Sequence, residues 1–290
     1  MNRKRLGSLT IGFLAFSFAV SICLGQAPAG KETAQEYRRQ GFDHYQARDF
    51  EKAIEAFKQS IRLKPDYAEA HNDLGVTYSS LGRHDEAIVA LESAIRIKPD
   101  LAEAFCNLGS AYYQIRKLDN ATEYLEEAVR LRPGYALAFN NLGAVLLESG
   151  NVQEAIVAYR QATRLQPSWA DAHRNLALAL YHESDYEGVL KHLHLAINLN
   201  PSYFEAYNNL GVVYFKRGEY KKASAAFVQA IKLNEDYAEA VYNLGVLRLA
   251  LKQRPEAMAQ YYKLKTLNLE LAGTLYGGLY SGRVLDLRNR

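Results

Sequence analysis

Residues Ala68–Leu101 read AEAHNDLGVTYSSLGRHDEAIVALESAIRIKPDL, and this stretch decides the fold. Its first half is apolar at His71, Leu74, Tyr78 and Leu81, spaced by three or four, which is one face of an amphipathic helix. Gly82 follows and suits the left-handed conformation that ends a helix. Asp85 and Glu86 then open a second helix, because acidic groups are favoured at the positive end of the macrodipole. Ala87, Leu91, Ala94 and Ile95 form its inner face, and Pro99 stops it, lacking an N–H and restricting the residue before it. Gly75 and Ala87 are small, as a close crossing of the two helices requires.

The same wording returns every 34 residues. Pro65, Pro99, Pro133, Pro167 and Pro201 share one register, as do Leu74, Leu108, Leu142, Leu176, Leu210 and Leu244. The next column is Gly41, Gly75, Gly109, Gly143, Ala177, Gly211 and Gly245, and another is Ala53, Ala87, Ala121, Ala155, Ala223 and Ala257. Self-similarity at this period is the mark of stacked helix–turn–helix units with one continuous core.

The columns resemble the tetratricopeptide repeat (TPR), whose signature runs through a large residue, Leu-Gly, Tyr, Ala, Phe, Ala and Pro. The third unit matches with Phe105, Leu108, Gly109, Tyr112, Ala121, Leu125, Ala128 and Pro133, and the sixth with Tyr207, Leu210, Gly211, Tyr214, Ala223, Phe227 and Ala230. The resemblance implies an all-α, right-handed superhelical solenoid of about seven repeats, at 34–67, 68–101, 102–135, 136–169, 170–203, 204–237 and 238–268. Departures are expected to leave traces. Gln40 replaces Leu in the first unit; Ala177 and Val189 replace Gly and Ala in the fifth, predicting a wider hairpin; Arg248 and Leu264 break the pattern in the seventh. Residues 269–290 fall outside the register, and Leu271, Leu275 and Leu279 with Tyr276 and Tyr280 predict one more helix. It would cap the last repeat, form a dimer contact as a possible homo-oligomer interface, or fold back into the groove. Val284–Leu287 reads as a short extended tail.

The first 30 residues are of another kind. Arg3, Lys4 and Arg5 precede an uncharged run from Leu6 to Leu24, followed by Gly25-Gln26-Ala27-Pro28-Ala29. This reads as a secretory signal peptide or an N-terminal membrane anchor, the run being near the roughly 17–20 residues needed to span a bilayer. An exported protein, periplasmic or secreted and touching the membrane only through this segment, is expected. Without residues 1–30, Lys plus Arg falls from 35 to 32, equal to the 32 Asp plus Glu. A near-neutral array offers no basic field for nucleic acid. Cys106 is the only cysteine after Cys23, so the array holds no internal disulfide.

No catalytic signature is present. His192 and His194 are two apart, so on a helix they diverge and do not share a metal. His71 and His173 occupy the large-residue column and read as packing positions. Zinc-helix, phosphate-loop and nucleophile-elbow motifs are missing. The sequence therefore predicts no enzyme, no cofactor and no metal site.

One polar column stands out: Asn107, Asn141, Asn175, Asn209 and Asn243, preceded in phase by Arg39 and Asp73. Asparagine is a mediocre helix former, so its repetition within a helix asks for a reason. The column is similar to the asparagine ladder of the O-linked N-acetylglucosamine transferase repeat region. That resemblance implies amides facing a concave groove and pairing with the backbone of an extended chain. The alternative is that each amide bonds to a neighbouring helix. The family's ligand-facing positions fall on Glu69, Asn72, Val76 and Ser79, then on Glu103, Cys106, Ser110 and Tyr113, with the equivalents in later units including Leu147, Arg174, Tyr181, Phe215 and Tyr242. The Asn column with Tyr113, Arg174, Tyr181, Phe215 and Tyr242 is thus the expected peptide-binding set. Val76, Ser110 and Ala144 stand where chaperone-binding relatives carry a carboxylate clamp, which argues against that specificity. The function expected is an exported, non-enzymatic scaffold binding an extended or helical segment of a partner protein. The alternatives are a self-assembling structural protein and an accessory subunit of a glycosyl-transfer, pilus or polysaccharide-export complex.

Overall fold

The computed structural model describes residues 32–281. The expected signal or anchor and the short tail lie outside them. Fifteen helices and no strands are found among the described residues. Fourteen of the helices form seven hairpins: α1 (Ala34–Gln46) with α2 (Phe50–Leu63), α3 (Ala68–Ser80) with α4 (His84–Ile97), α5 (Ala102–Gln114) with α6 (Leu118–Leu131), and α7 (Ala136–Glu148) with α8 (Val152–Leu165). Then come α9 (Ala170–His182) with α10 (Tyr186–Leu199), α11 (Phe204–Lys216) with α12 (Tyr220–Leu233), α13 (Ala238–Ala250) with α14 (Arg254–Leu267), and the single helix α15 (Leu269–Ser281). The chain is an all-α solenoid.

Each hairpin closes on small residues. A Cβ at Gly109 would lie 2.7 Å from Leu125 Cγ and 3.0 Å from the Ala121 carbonyl, and one at Gly143 would lie 2.8 Å from the Tyr159 ring. The second helix accordingly supplies one large side chain to that contact, and Phe57, Leu91, Leu125, Tyr159 and Phe227 are all buried there. Each such burial contributes about 1.5–3 kcal/mol. In the fifth hairpin, Ala177 and Val189 stand in place of the glycine and alanine, and both are buried. A crevice too narrow for water opens among Ala177, Tyr181, Val189, Leu193, Asn209 and Val213.

The hairpin turns also repeat. Arg48, Gly82, Arg116, Gly150, Ser184, Gly218 and Lys252 all have positive φ. The residue after each donates its N–H back over the last helical turn, as in Arg83 N to Tyr78 O and Lys117 N to Tyr112 O, at 2.9 and 3.0 Å. This pattern closes a helix on a left-handed residue. Glycine fills the position in only three of the seven turns.

The C-terminal end departs from the repeat. One residue, Asn268, separates α14 from α15, and its side chain accepts from Leu271 N at 3.0 Å. A Cβ at Gly245 would meet Leu275 of α15 at 2.6 Å, whereas the other hairpin glycines meet their own second helix. Leu275 has taken the place that Tyr261 would fill by register. Tyr261 lies instead against Tyr262 and Tyr276, ring centroids 5.3 Å apart in each case. Leu271, Leu275 and Leu279 are buried with Tyr242 and Val246 in one cluster. Of the three expected roles for α15, the leucine face is spent as a cap on the seventh hairpin, while Tyr262, Tyr276 and Tyr280 remain exposed.

Candidate peptide-binding groove

The first helices of the hairpins carry the polar column. Asn107 Nδ2 donates to Asn72 Oδ1 at 2.9 Å, Asn175 Nδ2 to Asn140 Oδ1 at 3.0 Å, and Asn243 Nδ2 to Asn208 Oδ1 at 2.8 Å. Asn141 Nδ2 donates to Ser110 Oγ at 3.0 Å and reaches Cys106 Sγ at 3.8 Å. At the head of the array Arg38 Nε donates to Asp73 Oδ2 at 2.6 Å. Burial pushes the Asp73 carboxyl above its ordinary value against the pull of Arg38. These pairs join residues 35 apart, except Asn141–Ser110, which are 31 apart. The column therefore straps each first helix to the preceding one, except α11 to α9. Bonds between neighbouring helices, one of the two roles open to the amides, are what the geometry displays.

Three members of the expected binding set do not reach the groove surface. Asn209 is 4 % exposed, Tyr242 1 % and Asn243 0 %. Asn243 is sealed by its bond to Asn208 and by the packing around α13, and Tyr242 lies in the core cluster that α15 completes. All three are buried inside the array, and the expectation that they face a ligand is corrected. Asn107, Asn141, Asn175, Tyr113, Arg174, Tyr181 and Phe215 keep part of their surface free. Between them Val76, Ala144, Leu147 and Leu178 are half-buried, and Leu137 is exposed. The wall is thus open from α3 to α9 and closes towards the C-terminal end, where Asn208, Val212 and Val246 are buried. Between α3 and α5 it deepens into a pocket of about 510 Å³ lined by Val76, Ser79, Asn107, Ser110 and Gln114.

The groove offers little chemistry. Burial pushes the Cys106 thiol up to about 11, which keeps it protonated at neutral pH and poor as a nucleophile. No group of three or more His, Cys, Asp or Glu side chains among the described residues could hold a metal ion. No helix among them is long and apolar enough to cross a membrane.

One polar pair escaped the sequence. His173 Nε2 lies 2.9 Å from the Pro167 carbonyl and its Nδ1 lies 3.1 Å from His192 Nδ1, with the rings stacked 5.3 Å apart. His71 makes the same contact with the Pro65 carbonyl at 3.0 Å. The column that reads as packing also ties down the loop before its helix. A donor at His173 Nε2 leaves Nδ1 to accept from His192 Nδ1–H.

Comparison with known proteins agrees with this architecture. Family profiles described as TPR repeat match residues 43–82, 77–115 and 178–218, and profiles described as tetratricopeptide repeat match 106–168, 145–188 and 204–237. No curated protein sequence matches. Among solved structures, a chain of the APC/C hetero-tetramer Cut9–Hcn1 is similar over 74 % of this chain, at 21 % identity and a TM-score of 0.66. The matched region spans 43 % of that longer chain. PilF of Pseudomonas aeruginosa is similar over 70 % of this chain and 92 % of its own, at 20 % identity and a TM-score of 0.63. YrrB, described as a TPR protein with an unusual peptide-binding site, is similar over 69 % of this chain and 99 % of its own, at 22 % identity and a TM-score of 0.55. With the family profiles running without a break from residue 43 to residue 237, the chain belongs to the tetratricopeptide repeat family.

Proposed function

We propose that the chain is an exported, non-enzymatic scaffold that binds an extended or helical segment of a partner protein along the open part of its groove. The carrying observation is the half-exposed strip of Val76, Tyr113, Leu147, Leu178 and Tyr181 beside Asn107, Asn141 and Asn175. Each of those amides commits a donor to the neighbouring helix, and an amide has two donors and an acceptor, so capacity for a ligand backbone remains. The YrrB description supports a peptide as the ligand class. Export rests on the sequence of residues 1–30.

A photo-crosslinking amino acid placed at Tyr113 or Tyr181 should give adducts with a discrete partner in intact cells. The same probe at Val89 or Val157, which are 65 % and 58 % exposed on second helices, should not. Adducts of equal yield from both faces would sink the groove reading. Cell fractionation with mass spectrometry of the mature N-terminus tests export, and intact Met1 in the cytosol would refute it.

A further inference from the structure

The strap column is broken at one rung, and the break is a cation. Asn72, Asn140 and Asn208 each accept from the amide 35 residues on. The residue in phase between Asn140 and Asn208 is Arg174, whose guanidinium has only donors. Asn209 Oδ1 and Arg174 Nε are both buried without a hydrogen-bond partner. A buried polar atom left unpaired is costly and rare in native proteins.

The chain elsewhere neutralises an arginine at this position. Arg38 stands in the same column, and the residue 35 on is Asp73, which pairs with it. At Arg174 the residue 35 on is Asn209, so that carboxylate is missing. Asp171, one turn earlier on α9, does not replace it. Its two oxygens are taken by Tyr203 Oη and by Trp169 Nε1, the latter at 3.3 Å. Arg174 itself donates to Asn175 Oδ1 at 3.2 Å and lies 5.9 Å from the centroid of the Tyr203 ring. Among the described residues it makes no ion pair.

We propose that Arg174 is the anchor of the groove and takes an aspartate or glutamate side chain of the bound segment, an inference that rests on the groove being the binding surface. The bound carboxylate does for Arg174 what Asp73 does for Arg38, with the planar two-oxygen fit that guanidinium favours. A single negative charge suits the place, since Asp171 and Glu205 lie in the same stretch of wall and would repel a dianion. Leu178 and Tyr181 follow Arg174 by one and two turns on α9 and are half-buried, so the acid is set among apolar residues of the partner.

Random dodecapeptides displayed on phage and panned over the full-length chain test this. The wild type should enrich peptides with Asp or Glu at one fixed register position among apolar neighbours. Two variants should lose that enrichment. Arg174→Asn copies the column's own residue and mends the rung, so its Tm should rise by roughly 3–8 °C. Asn209→Asp supplies the carboxylate internally, as Asp73 does for Arg38. A synthetic peptide from the wild-type selection should bind either variant at least about tenfold more weakly, equivalent to about 1.4 kcal/mol. Apolar peptides without an acid, enriched equally by all three proteins, would overturn the anchor and leave the groove standing. Acidic enrichment that persists in Arg174→Asn would also overturn it. No enriched peptide at all would sink the anchor and the groove together.

Discussion

Gly109→Val is expected to cost roughly 3 kcal/mol or more, the upper range for forcing bulk into a packed contact. The first added carbon would already stand 2.7 Å from Leu125 Cγ and 3.0 Å from the Ala121 carbonyl. Leu125 is fully buried and has no free side to move to, and the carbonyl belongs to the backbone of α6. Relief therefore requires α5 and α6 to separate. Because each unit leans only on its neighbours, the damage should spread through the third hairpin and the interfaces on either side. Amide hydrogen exchange should show lost protection over α5 and α6 before the ends of the array respond. Gly134→Val is the matched control, since a Cβ there meets nothing within 4 Å. Equal melting temperatures for the two variants would refute the close-crossing account.

Acid should weaken the array through its histidine pair. His192 is held down to about 4 from an ordinary 6.5, first by burial and then by the charges of His173, Lys191 and Arg160, with Asp185 opposing them. The unfolded chain binds this proton near pH 6.5 and the folded chain only near pH 4. Between those values the unfolded state holds more protons, so stability falls as pH drops through the window and levels off below it. His192 is only half-buried, so solvent screening holds the loss to on the order of 1–2 kcal/mol. His192→Asn keeps a donor for His173 Nδ1 but does not titrate. Urea midpoints measured from pH 4 to 8 should slope downward towards acid more steeply in the wild type than in the variant. Parallel profiles would show that the pair does not govern the response.

The helices and their register were legible because each column of the 34-residue step encodes a single packing duty. Glycine marks the crossing, alanine the facing helix, proline the exit. The left-handed turns were legible only where glycine announces them. Arg48, Arg116, Ser184 and Lys252 adopt the same conformation because the hairpin around them requires it, and no local preference reveals that.

The site was harder to read. Column periodicity shows that the amides share a direction, yet it does not show what they touch. Their partners lie 35 residues back, on the preceding first helix, one residue off the repeat. The same off-step contact made the broken rung at Arg174 invisible, since Arg174 and Asn209 sit in different columns. Periodicity also treats all units alike, whereas burial rises along the array until Tyr242 and Asn243 are closed off. The His173–His192 contact crosses a hairpin between two columns, and nothing in the spacing of either histidine points to it.

The helix that follows Asn268 also sets a direction for growth. By seating Leu275 against Gly245 and turning Tyr261 aside, it removes the platform on which an eighth hairpin would be laid. A hairpin laid after α15 would meet a surface of the seventh repeat that is already covered. Extra hairpins fit upstream of Ala238 instead, where one hairpin follows another in unbroken phase and the terminal lock stays intact.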